Sequence, residues 1–175
     1  DGRYLWWWDH HGGQPTAWWV PPEILPRRRP DDLLGVTRAP LAEWIYKRRD
    51  EGRNHGFPIL QAYDKVSFRS GFSASDAYMS ISGFSYGFHS HADANAIINY
   101  GAHGRTILYD DGYMIPSLSE HNTVIILKDG WAGETPELAQ VVAQADFDGA
   151  GLFRSRLSGY NGLTWDRSVI WPGSG

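Results

Sequence analysis

Tyr63-Asp64-Lys65-Val66-Ser67-Phe68-Arg69 and Ala77-Tyr78-Met79-Ser80-Ile81-Ser82-Gly83 decide the fold, because both stretches alternate. In an extended chain successive side chains point to opposite faces. Val66 and Phe68 then share one face with an apolar partner sheet, and Lys65, Ser67 and Arg69 share the other. Working outward, further strands are expected at 89–91, 96–100, 106–110, 122–127, 137–146, 152–157 and 163–170. Gly-containing turns such as 101–104, Asp111-Gly112 and Lys128-Asp129-Gly130 separate them. Many short strands at this spacing predict a mainly β chain folded as an antiparallel sandwich. The stretch 92–99 is ambiguous and also admits a helix.

Upstream the pattern differs. Residues 1–35 hold Trp6-Trp7-Trp8, His10-His11, Trp18-Trp19, the prolines Pro21, Pro22 and Pro26, and the run Arg27-Arg28-Arg29-Pro30. Prolines at this density break regular elements. This segment is expected to be the tail of a preceding helical domain and a linker, with the sandwich over 36–175. A start at Asp1 and a loose Pro-Gly-Ser-Gly ending suggest a piece of a longer protein, truncated at the C-terminus. Residues 41–49 suit a short strand or helix.

Composition narrows the function classes. The chain of 175 residues carries a formal net charge of −4, which argues against the basic face of a nucleic-acid binder. Any grip on an acidic polymer must therefore be local. No apolar run is long enough to cross a bilayer. With no cysteine there is neither a disulfide framework nor a thiolate metal site. Nine Trp and nine Tyr provide flat faces suited to sugar rings, although a single Trp is more often a core residue.

The residues that carry chemistry cluster in three blocks: Phe88-His89-Ser90-His91-Ala92-Asp93, Tyr109-Asp110-Asp111-Gly112, and Glu120-His121-Asn122-Thr123-Val124. In an extended segment His89 and His91 fall on the same face. Asp110 ends an apolar strand, and His121 opens the strand expected at 122–127. If those two strands form a hairpin, Asp110 and His121 lie at the same end of the sheet. Two imidazoles and a carboxylate form a set that zinc accepts, leaving a fourth position for water or a neighbouring group. The ligands must be neutral imidazole and ionised carboxylate, so binding weakens in acid. Histidines in polar loops more commonly serve as hydrogen-bonding residues alone.

These blocks, with Asp64-Lys65 and Phe68-Arg69-Ser70-Gly71 before them, resemble the heparinase II/III-like polysaccharide lyases, which include alginate and heparin or heparan lyases. The likeness runs from about Tyr63 to Gly130 and fades in the later strands. It implies an α-helical toroid ahead of the β-sandwich, with an acidic, uronic-acid-containing polysaccharide bound in the cleft between them. It places zinc on His91, Asp110 and His121, while Asp111 leaves a choice between the two neighbouring aspartates. His89 matches a histidine that faces the cleft. The implied reaction is β-elimination at a uronate, for which most of the Asn, His and Tyr machinery comes from the toroid. This chain alone is therefore expected to be inactive, and a periplasmic or secreted location is implied.

Within the chain the catalytic candidates are His89, whose ordinary pKa lies near neutrality, and Tyr113, just after the Asp-Asp-Gly turn. His89 reads equally as a residue that orients the zinc site. Arg69 is the substrate-binding candidate, since its fork of donors matches a carboxylate; a structural salt bridge is the commoner fate of such a residue. His10 and His11 suit the toroid side of the cleft. Two other classes compete. One is a non-catalytic, zinc-stabilised, carbohydrate-binding sandwich. The other is a cupin-like metal enzyme, disfavoured because no Glu follows His91 at short spacing.

Overall fold

The computed structural model describes residues 34–37, 56–71, 73, 75–85, 92–110, 121–147 and 149–172. All of them belong to the unit Asp32–Gly175. They form a mainly β fold of two antiparallel sheets. The larger sheet holds β1 (Leu34–Thr37), β2 (Lys65–Arg69), β3 (Tyr78–Ser82), β4 (Ile97–Ala102) and β5 (Arg105–Tyr109), in that order. The smaller holds β6 (Gln140–Phe147), β7 (Ala150–Tyr160) and β8 (Leu163–Pro172). Among the described residues the one helical turn is a short 3-10 segment, Ile59–Gln61, and no helix is long and apolar enough to cross a membrane.

The alternation read in the sequence sets the register. Val66 pairs with Ile81 and Phe68 with Met79, so these four buried side chains line one face. Phe153, Leu157 and Trp171 of the smaller sheet share the same buried cluster. The Phe68 ring stacks on Trp171 with centroids 5.6 Å apart, and Phe153 presents its edge to Phe68 and to Tyr63. Each ring removed from water stabilises the fold by roughly 1.5–3 kcal/mol, and here that gain requires both sheets at once. Leu34, which pairs with Phe68, belongs to this core as well.

Two-residue turns with both residues at positive φ close three reversals. They are His103-Gly104 between β4 and β5, Asp129-Gly130 between the bridged residues Lys128 and Trp131, and Asn161-Gly162 between β7 and β8. Such turns match the right-handed twist of the strands they join. Asn161-Gly162 is a strong hairpin signal that the strand pattern alone passed over.

The sheets meet where the chain leaves β3. Gly83 accepts a hydrogen bond from Ala139 N–H at 2.8 Å, Ser85 N–H donates to the Glu137 carbonyl at 2.7 Å, and Phe84 bridges Leu138. Gly83 must be glycine: a Cβ there would stand 1.9 Å from the Tyr63 carbonyl oxygen.

Two expectations need correction. The run 122–127 is not a strand. Its polar backbone is taken by other partners: the Asn122 carbonyl accepts from Ile97 N–H, and the Ile126 carbonyl accepts from Asn161 Nδ2 at 2.5 Å. Those two carbonyls are thus engaged outside any ladder. The stretch 92–99 is a turn at Ala94-Asn95 leading into β4, not a helix. The expected strand at 89–91, the element at 41–49 and the helical remnant in 1–35 lie outside the described residues, apart from the start of β1.

Candidate metal centre

One end of the larger sheet gathers the polar residues. Antiparallel pairing brings together Lys65 at the start of β2, Ser82 at the end of β3, Ile97 at the start of β4 and Asp110 just beyond β5. Asp110 N–H donates to the Ile98 carbonyl at 3.1 Å, which extends the β4–β5 ladder by one more bond. Ile97 N–H donates to the Asn122 carbonyl at 3.1 Å, and Asn122 Nδ2 donates to the Tyr109 carbonyl at 3.4 Å. A tight turn from His121 to Thr123 follows, closed by a 2.8 Å bond. His121 thus sits beside Asp110 without the hairpin expected for it, held through Asn122 by β4 and β5 instead.

His121 Nδ1 lies 2.7 Å from Asp110 Oδ1, with the side chains 1% and 7% exposed. Two ligands of a tetrahedral zinc, each about 2.0–2.2 Å from the metal, stand roughly 3.2–3.5 Å apart. The observed pair is about half an ångström closer, at hydrogen-bond distance. It therefore suits two arrangements. In one, both side chains move slightly apart and ligate through Asp110 Oδ1 and His121 Nδ1. In the other, Asp110 fixes the imidazole through Nδ1–H and leaves Nε2 to ligate or to handle a proton, as carboxylates commonly do beside metal-bound histidines. Imidazole nitrogen and carboxylate oxygen are donor types that zinc accepts, and at 2.7 Å the two side chains stand joined by a hydrogen bond.

Nearby charge is mixed. Lys65 Nζ donates to Ser82 Oγ at 2.9 Å and stands 5.1 Å from the centre of the Phe84 ring. Burial lowers its pKa, while the carboxylates of Asp93, Asp64 and Asp110 act in the opposite direction. The ammonium thus offsets part of the negative charge around Asp110.

Of the three expected zinc ligands, the structure brings Asp110 and His121 together. His91, with His89, Asp111 and Tyr113, lies outside the described residues. Among the described residues no group of three or more His, Asp or Glu is gathered in metal-binding geometry. On either side of 86–91 the chain is anchored: Ser85 Oγ accepts from Ala94 N–H at 2.6 Å, so the two flanks of the histidine pair meet. Arg69 lies at the other end of β2, opposite Tyr78, with its guanidinium 4.7 Å above that ring. It shares the polar face of the sheet with Lys65 but not the Asp110–His121 end.

Sequence reasoning missed a buried polar network behind this end. Asn95, fully buried at φ +65°, receives a hydrogen bond from Ser155 on its Oδ1, and Tyr63 OH lies 3.5 Å from the same oxygen. Arg167 Nε donates to the Asn95 carbonyl at 2.7 Å. One signal was available: Trp165, Arg167, Val169 and Trp171 occupy one face of β8, so an arginine interrupts an otherwise apolar row. Asn95 carried no comparable mark.

No family model, no curated protein and no solved structure matches this chain.

Proposed function

We propose that this chain is the sandwich part of a zinc-containing lyase of uronic-acid polysaccharides, secreted or periplasmic. The observation that carries the reading is the buried Asp110–His121 contact at 2.7 Å, which joins two residues that the resemblance assigns to one zinc ion. His91 would complete the set. Bound zinc would supply a cross-link between the end of β5, the His121 turn and the 86–91 segment, so its role is mainly structural.

The reaction is β-elimination. A base takes the proton from C5 of the uronate, and the C–H electron pair becomes the C4–C5 double bond. The C4–O bond breaks, and an acid protonates the departing oxygen. A positioned base or acid typically contributes about 10²–10⁴ in rate. His89 is the chain's own candidate to neutralise the uronate carboxylate or share in proton transfer, and Tyr113, just after the Asp110-Asp111-Gly112 turn, is the second. Arg69 offers a guanidinium, pre-oriented on Tyr78, for a substrate carboxylate. The remaining Asn, His and Tyr are assigned to a helical toroid domain of the same protein.

The test is incubation of the entire protein with alginate, heparan-type and chondroitin-type uronans. The expected products are unsaturated, ultraviolet-absorbing oligosaccharides formed without uptake of water. Saturated products would point to a hydrolase and overturn the reading. Saturable glycan binding with no cleavage would instead establish the non-catalytic carbohydrate-binding alternative.

A further inference from the structure

We infer that Arg167, on the opposite sheet, is a positioning residue for the Asp110–His121 site, acting through the backbone of Asn122 and Asn95. This inference rests on the metal-centre reading for its first readout and stands apart from it in its second.

The geometry is specific. Arg167 lies on β8 directly opposite Ser155 on β7. From this one register position both side chains cross the sandwich to Asn95: Ser155 Oγ donates to its side-chain oxygen, and Arg167 Nε donates to its carbonyl at 2.7 Å. Arg167 Nη2 extends further, to the carbonyl of Asn122 at 3.4 Å. That carbonyl belongs to the Asn122–Thr123 peptide, one beyond the peptide that follows His121, and also receives Ile97 N–H at 3.1 Å. The His121 turn is therefore held from β4 on one side and from the smaller sheet on the other. Asn95 is the third residue of the turn Asp93–Ala96, closed by Ala96 N–H on the Asp93 carbonyl, and its own N–H donates to the Ser82 carbonyl. One guanidinium thus spans two loops, the first four residues after His91 in sequence and the second one residue after His121.

Energetics argue that this arrangement serves more than packing. Arg167 is largely buried, its planar group 5.2 Å from the Trp165 ring centre, and burial lowers its pKa. Among the described residues it has neutral carbonyl acceptors and no carboxylate partner. Removing a guanidinium from water is costly, and an apolar side chain of similar volume is often as stable or more so in such a place. What arginine adds is a rigid fork whose donors have a fixed separation. That fork sets the distance between the two loop backbones, and the Asn122 peptide in turn sets the direction from which His121 meets Asp110.

The experiment compares the wild-type chain with Arg167→Met and Arg167→Lys. The first readout is zinc affinity of the folded protein, measured by chelator competition. Residues that orient metal ligands typically change affinity by about 10–100-fold. Arg167→Met is expected to fall within that range, and Arg167→Lys to recover only part of the loss because it lacks the fork. The second readout needs no metal: the ¹⁵N resonance of the His121 ring in zinc-free protein, where Arg167→Met is expected to shift or broaden the Nδ1 signal held by Asp110. If both variants melt at lower temperature yet keep wild-type zinc affinity and an unchanged His121 signal, Arg167 is a packing residue and the inference is overturned. If the wild type binds no zinc, the metal reading fails, and the His121 resonance alone decides the role of Arg167. Should Arg167→Met fail to fold, Arg167→Lys is read against the same two outcomes.

Discussion

Asp110 and His121, eleven residues apart in the chain, touch through Oδ1 and Nδ1 at 2.7 Å while being almost wholly removed from solvent. Replacing either side chain leaves the other as a buried polar group, which costs about 1–3 kcal/mol for a neutral partner and more for a charged one. Asp110→Ala and His121→Ala are expected to lose bound zinc and thermal stability together, measured by elemental analysis and melting curves on the same samples. A variant that loses zinc but melts unchanged would refute the structural role.

Arg69 should separate binding from folding. Its contact with Tyr78 is a cation–π pair, worth about 0.5–1 kcal/mol at exposed sites. Arg69→Ala is expected to weaken uronan binding about tenfold or more while the chain still folds cooperatively. Calorimetric titration and urea denaturation check the two halves; unchanged glycan affinity would remove Arg69 from the binding face.

Asn161 has two separable functions. Its φ of +51° allows the β7–β8 turn, and its Nδ2 donates to the carbonyls of Ile126, Trp131 and Ala132. Asn161→Gly keeps the turn conformation but loses the donor; Asn161→Ala loses both. We expect Ala to destabilise more than Gly, with the larger loss about 2–3 kcal/mol. Equal losses in urea melts would show that backbone conformation contributes nothing.

Asp166 predicts a response to acid. Its carboxyl is held at about 2 from an ordinary 3.8, first by its hydrogen bond from Arg156 and also by Arg154 across the β7–β8 ladder. Because the folded pKa is the lower one, this stabilisation is fully present above about 3.8 and disappears as pH falls through about 2. The carboxylate is only 18% exposed, but both arginines reach solvent, so the effect should be small and weakened by salt. Comparing wild type with Asp166→Asn at pH 5 and pH 2 measures it: the stability gap between them is expected to close at the lower pH, and a gap that persists would assign the contribution to something other than charge.

Much of the sandwich was legible because its signal is local. Val66, Phe68, Met79 and Ile81 alternate, and a period of two leaves little choice about which face is buried. The run 122–127 misled for the same reason: Val124, Ile125, Ile126 and Leu127 have the composition of a strand, but strand formation needs an available neighbour. Ile97, Asn161 and Arg167 had already taken backbone carbonyls in that segment.

The candidate site divides along the same line. Residue types and order in the sequence, with the family resemblance, pointed to His121 and to the Asp110-Asp111 pair, since carboxylates and an imidazole at the ends of apolar runs are recognisable without coordinates. Their contact was decided by tertiary structure, through hydrogen bonds between Asn122 and both β4 and β5 rather than through the expected hairpin. Arg167 shows the difference most clearly. Its place in an apolar row is visible in the sequence, but its acceptors lie 72 and 45 residues away. Only packing the two sheets face to face brings that guanidinium to the carbonyls of Asn95 and Asn122.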